Sequence, residues 1–339
     1  MASDKQIIEL KKTDLEKLLR QQLGSDLKVE NFTTKPLTKL GDNYASTILA
    51  VEVFYPKAED DKLHKLPVVA KLVPESPFLR HLFNIEITFN KEVRAYTLVS
   101  PEFHKLQKEK GIPESEMLDV FAKYYGSRSN KQDDINMEAD DSAVLLIENL
   151  KLSGYEIRDR RKGLNLKHME FTLDKLAQFH ALGIVLKLSK PQVFSDTILK
   201  ACEKFNLGIP TDDETIQKSV NTVIGFMEGI PECVPYMEVI EKIMRLDNEI
   251  RKENLVEQPP REPFATIVHY DFWVNNMMFK YDQCGNETDK LKNEQIPTAV
   301  KFVDFQITIY DSPVRDLMFF LFTSSEDGLY HKYFDYLIK

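Results

Sequence analysis

A change of hydrophobic period near Leu150 constrains this chain more than any other feature. Before it, LTKLGDNYASTILAVEVFY has a glycine-containing turn followed by Thr47, Leu49, Val51 and Val53 at every second position, which is a strand period. The apolar runs LPVVAKLV and DSAVLLIENL read as further strands, and the segment from Phe83 to Leu98 reads as a helix between them. After Leu150 the texture is helical: LDKLAQFHALGIVLKL, ETIQKSVNTVIGFMEGI and YMEVIEKIMRLDNEI place apolar residues three or four apart. In the last of these, Val239, Ile243, Leu246 and Ile250 form one stripe. A chain of 339 residues is long enough for two compact parts, so the pattern predicts an α+β protein with a mostly β lobe over 1–150 and a mostly α lobe over 151–339.

Near the start, Thr13 and Glu16 form a capping-box pattern before Leu18 and Leu19, with Gly24 beyond, and predict a structural helix. The N-terminus is interrupted by charge every few residues and lacks the apolar stretch of a signal peptide, and no run approaches transmembrane length. A net charge of −9 argues against nucleic acid as a partner. Cys202, Cys233 and Cys284 are odd in number, widely separated and without metal-ligand spacing, so a reducing compartment, the cytoplasm, is expected.

Chemistry concentrates near the C-terminal end. TIVHYDFWVNNMMF carries His269, Asp271 and Asn276 as H-x-D-x-x-x-x-N directly before the strand NMMFKYD. Phosphoryl transfer needs a carboxylate to orient an acceptor hydroxyl and take its proton, and oxygen ligands to hold magnesium against nucleotide phosphates. Asp271 fits the first role and Asn276 the second. A second metal carboxylate belongs on the neighbouring strand, and Asp304 in VKFVDFQ stands where that strand ends, beyond the polar insertion QCGNETDKLKNEQIP. In the first lobe, Lys71 of VVAKLV can hold phosphates from a strand, and Glu92 of FNKEVRAY can anchor it from a helix, with Glu86 as competitor. Gly41, Asn43 and Ser46 in LGDNYAS form a turn able to cover phosphates, and the backbone from Glu148 to Leu150 is the expected meeting place for adenine.

Taken singly, each residue has a plainer reading. The H-x-D-x-x-x-x-N match can be a loop with a capping Asp, Lys71 a snorkelling lysine, Glu92 a solvated helix residue and Asp304 a turn cap. What separates the catalytic reading is that all five occur in the order, and on the element types, that one mechanism requires. His269 is expected to brace the loop, His180 to be a satisfied core histidine, and Trp273 to pack beneath the loop. Asp316 in SPVRDLMFFL either caps the following helix or reaches back to catalytic-loop amides.

LGDNYAS, VVAKLV, NKEVRAY, LLIENL, LAQFHALG, HYDFWVNN, VDFQ and SPVRDLMFFL together resemble the ecdysteroid kinase-like proteins, also called CHK-kinase-like, relatives of choline and aminoglycoside kinases. The resemblance implies a two-lobed protein-kinase-like fold with a small antiparallel-sheet N-lobe and a mainly helical C-lobe. It further implies ATP- and Mg2+-dependent phosphorylation of a hydroxyl on a small lipophilic acceptor, an ecdysteroid or a xenobiotic alcohol, with detoxification as one role. Under it, Asp271 is the catalytic base, Asn276 and Asp304 are the magnesium ligands, and Lys71 and Glu92 are the phosphate-positioning pair. A monomer without membrane attachment is expected.

Two departures stand out. Tyr270 occupies a position that is usually glycine in the family, and the chain ends at YFDYLIK where relatives continue through further helices, so a shortened second lobe is expected. These motivate an alternative, a catalytically silent kinase-fold protein that binds a hormone or other small ligand. Protein phosphorylation is disfavoured, because no A-P-E-like motif closes a segment after Asp304.

Overall fold

The computed structural model describes residues 10–37, 45–57, 60–206, 208, 213–252, 260, 262–282 and 296–337. Two compact units result: Met1–Asn206 with Glu262–Lys339, and Leu207–Arg261. Gly41, Asn43, Cys284 and most of the polar insertion lie outside the described residues.

The first unit contains a five-stranded antiparallel sheet, β1 (Asn31–Pro36), β2 (Thr47–Lys57), β3 (Asp60–Leu72), β4 (Tyr124–Arg128) and β5 (Val144–Glu148), in the order β1-β2-β3-β5-β4. Successive strand residues face opposite sides, so Val68, Ala70 and Leu72 turn to one face and Val69 and Lys71 to the other. Helix α1 (Lys12–Leu23) covers the first face, where Leu15, Leu18 and Leu19 pack on Val51, Val53, Val68, Ala70 and Leu146. Burying each of those leucines contributes about 1.5–3 kcal/mol. The close approach requires Gly126, because a Cβ there would lie 2.2 Å from the Leu18 carbonyl oxygen.

The expected capping box does not form. The helix begins at Lys12 without a side-chain cap, and Glu16 instead accepts from the Val29 amide (3.0 Å) and pairs with Arg20 at 2.6 Å. The opposite sheet face meets a helical run broken more than the sequence suggests. Helix α2 (Pro77–Phe83) ends at Asn84, whose φ of 49° is left-handed, and α3 (Ile85–Arg94) passes through a π-helical turn, Ala95–Val99, into α4 (Ser100–Glu109). Asparagine tolerates that backbone better than most residues.

Beyond the sheet come α5 (Leu166–Ser189), capped by the Asn165 side chain, short helical turns between 191 and 201, and two small antiparallel ribbons. One pairs β6 (Thr266–Val268) with β9 (Ile309–Asp311), and the other pairs β7 (Met277–Lys280) with β8 (Ala299–Phe302). The remaining unit holds α6 (Asp213–Glu228) and α7 (Met237–Lys252), which pack on each other while Val239, Ile243 and Leu246 stay exposed. In the first unit the chain continues after β9 into α8 (Val314–Ser324) and α9 (Leu329–Leu337). Among the described residues, no helix is long and apolar enough to cross a membrane.

Candidate active site

The two ribbons place polar residues at strand ends. The loop from His269 to Asn276 joins β6 to β7, and Asp304 lies two residues beyond β8. Two backbone contacts set their register: Val303 N–H donates to the Asn276 carbonyl (3.0 Å), and His269 Nε2 donates to the Val303 carbonyl (2.9 Å). A carbonyl only accepts, so Nε2 carries the imidazole proton.

Lys71 crosses 233 residues of sequence to meet Asp304, with Nζ 2.7 Å from Oδ1, and lies 2.5 Å from Glu92 Oε2. The second contact is a buried ion pair. Glu86 is exposed on the same helix and takes no part. Burial works against the Lys71 ammonium, but Asp304 and Glu92 outweigh it and hold its pKa above the ordinary lysine value. Burial pushes the Glu92 carboxyl up to about 7, against the pull of Lys71. One ammonium between two carboxylates in a buried setting is poor evidence for stability, since desolvation offsets most of the attraction.

Asp271 sits across the loop from Asn276, whose Nδ2 donates to the Asp271 carbonyl (2.9 Å) and carboxylate (2.7 Å). Both partners are acceptors, which fixes the amide orientation and turns Asn276 Oδ1 away; among the described residues that oxygen accepts nothing. Burial raises the Asp271 pKa and the negative charge of Asp304 adds to the rise, while His269 and the Asn276 bond pull it down.

A model of one protein family, the ecdysteroid kinase-like family, matches residues 40–339. The chain belongs to the ecdysteroid kinase-like family. Comparison with curated proteins gives no match. The fold is α+β and protein-kinase-like, with a small antiparallel sheet toward the N-terminus followed by mainly helical chain. Family membership points to a kinase-like phosphotransferase acting on small molecules.

In this ecdysteroid kinase-like chain, Tyr270 has φ of 72° and Asp304 φ of 67°, both left-handed. Glycine would fit the first without strain; here a tyrosine adopts it, with its ring centroid 5.7 Å from the Arg315 guanidinium. Asp316 holds this backbone in place. Wholly buried, it accepts from the amides of His269 (2.8 Å) and Tyr270 (2.7 Å) and from His180 Nε2 (2.9 Å), so of its two sequence readings the reach back to the loop is the one observed.

The other expected site residues are placed less directly. Ser46 is buried immediately before β2, in which Ile48 pairs with Lys71. At the end of β5, Glu148 N–H donates to the Lys123 carbonyl (2.8 Å), and Leu150 N–H donates to the Glu148 carbonyl (3.1 Å), so this connection bonds to itself. Sequence reasoning assigned no role to Tyr96, which stacks edge-on against Phe305 and Phe121 and buries a hydroxyl without a partner among the described residues. Nor did it assign Lys91 and Arg94, two buried cations beside Glu92. A charged residue on a helix reads as solvated, so no signal marked them.

Proposed function

We propose that this protein transfers the γ-phosphoryl group of Mg-ATP to a hydroxyl of a small lipophilic acceptor, an ecdysteroid or a xenobiotic alcohol, with detoxification among its roles. The observation that carries the reading is the meeting of Lys71, Glu92 and Asp304 beside the Asp271–Asn276 pair. In this reading residues 1–150 form the nucleotide-binding lobe and 151–339 the catalytic and acceptor-binding lobe. In this reading the protein acts as a monomer, and Cys202 and Cys233, free thiols among the described residues, suit the cytosol, where ATP is plentiful.

The donor set fits magnesium. Asn276 Oδ1 and the second carboxylate oxygen of Asp304 are hard oxygen ligands without a hydrogen bond among the described residues, and the Lys71 cluster sets two carboxyl groups against one ammonium. No group of three or more His, Cys, Asp or Glu among the described residues is arranged as a metal cage, and magnesium in kinases takes its remaining ligands from phosphate and water. Bound there, the ion offsets the charge that spreads over the transferring group. Asp271 orients the acceptor hydroxyl and takes its proton, a task suited by a raised pKa. Lys71 holds phosphate oxygens while Glu92 keeps its ammonium in place. His269 braces the loop, Gly41, Asn43 and Ser46 cover the phosphates, and Glu148 and Leu150 meet adenine once their mutual bond opens.

Tyr270, one of the two motives for a silent binding protein, leaves the loop's bonds to Asp316 intact, which favours activity. Purified protein with labelled ATP and a panel of steroid and xenobiotic alcohols should yield a phosphoester, and Asp271→Asn should abolish it. No Mg-ATP binding and no transfer to any panel member by folded protein would sink the reading.

A further inference from the structure

Glu92 shares α3 with two buried cations that take no part in the Lys71 cluster. Arg94 Nη1 donates to the Lys200 carbonyl (3.1 Å) and the Glu203 carboxylate (2.7 Å), and Nη2 to the Ile135 carbonyl (2.9 Å). Lys91, wholly buried, donates to the Glu203 carbonyl and lies 5.0 Å from the Phe205 ring centroid. Three neighbouring contacts reinforce the pattern: Asn90 Nδ2 to the Met137 carbonyl (2.7 Å), Ala139 N–H to the Glu86 carbonyl (2.9 Å) and Asn84 Nδ2 to the Asn206 carbonyl (3.0 Å). The helix is therefore stapled to two separate segments, 135–139 between β4 and β5, and 200–206, which begins in the last of the short helical turns.

At 3.6 residues per turn, Lys91 and Arg94 share a face, and Glu92 points about 130° away from its centre. The staples hold the far side of the helix while the near side meets Lys71. Burying two cations is costly, and apolar residues would cover the same surface more cheaply. Their chemistry suits a different purpose, fixing the helix to backbone carbonyls in one orientation only.

We propose that Lys91 and Arg94 are positioning residues that lock α3 against these two segments, so that the Lys71–Glu92 pair is assembled before nucleotide arrives and is not switched by helix movement. The inference rests on the phosphoryl-transfer reading, and its test separates the two. Slow hydrolysis of γ-labelled ATP, with magnesium and no acceptor, is measured for wild type, Arg94→Ala and Arg94→Lys, and for Arg94→Ala in a Glu92→Gln background. Hydrogen exchange of the α3 amides is followed in nucleotide-free protein.

Arg94→Ala should lower turnover about 10- to 100-fold, the scale of a small misplacement of a catalytic group, with Lys recovering part of it. In the Glu92→Gln background the same substitution should change turnover less than about twofold, because the pair it positions is already lost. Full additivity in that background, or Arg94→Ala within twofold of wild type, overturns the proposal. If wild type neither binds nor hydrolyses ATP, the phosphoryl-transfer reading fails, and exchange alone decides the lock: strong α3 protection that Arg94→Ala removes supports it, and unchanged or absent protection refutes it. Should Arg94→Ala fail to fold, Glu203→Ala against Glu203→Gln applies the same comparisons, since that side chain is 54% exposed and the Gln keeps an acceptor.

Discussion

Replacing Asp316 tests how the loop from His269 to Asn276 is held. Its carboxylate is 0% exposed and serves three donors: His269 N–H, Tyr270 N–H and His180 Nε2. Asp316→Ala leaves all three buried without an acceptor, at about 1–3 kcal/mol each before relaxation. Water entry and local adjustment reduce such sums, and breaking a buried charged network typically costs about 3–5 kcal/mol, so a loss near 4 kcal/mol is expected. Asp316→Asn preserves the shape but turns an NH2 group toward one of the donors, and about half that loss is expected. The assay is urea unfolding followed by tryptophan emission. Trp273, the sole tryptophan, lies in the loop itself and packs against the core, so its emission also reports local release before global unfolding. Under the proposed function, ATP turnover should fall in both variants because Asp271 loses its fixed position. An Asp316→Ala protein within 1 kcal/mol of wild type, with unchanged emission, would refute the view that this carboxylate holds the loop.

Tyr270→Gly should be more stable than Tyr270→Ala by about 1 kcal/mol, since both lose the ring and only glycine escapes the left-handed strain; equal melting temperatures would count against it. His168 is buried between Asn165 and Tyr281, and burial, aided by Arg158 and Lys167, lowers its pKa from 6.5 to about 4. Being depressed, this group stabilises the fold above pH 6.5, and that contribution is lost as pH falls toward 4; wild type should lose about 2–3 kcal/mol more than His168→Gln across the window in urea titrations. Gly126→Ala should detach α1 from β4 and cost several kcal/mol, read as a fall in melting temperature, because the new methyl group meets backbone that cannot yield.

Legibility from sequence followed how local each signal was. Strand β2 shows its period, and β3 and β5 read as apolar runs because both of their faces are covered, whereas β1 is exposed almost throughout and β4 is bulged at Tyr124 and Gly126, so neither carries a signal to read. Asp271, Asn276 and Asp304 were visible because each stands at a strand end and the first two lie within one loop. Asp316 stayed ambiguous because its partners lie 46 and 47 residues upstream. Lys91 and Arg94 were missed because burial of a charge is decided by segments more than a hundred residues away. The Val239 stripe marked a helix correctly but said nothing about what covers it.

The contact between Lys71 and Asp304 also sets a timetable. A chain made from its N-terminus can pack α1 on the sheet once β5 has emerged, but the second carboxylate that meets Lys71 is synthesised more than 150 residues later. At roughly 5–20 residues per second, the nascent sheet waits on the order of ten seconds or more with this ion cluster incomplete. Slow translation of the helical region lengthens that interval, and a ribosome stalled before codon 304 leaves Lys71 and Glu92 without the carboxylate that completes their cluster.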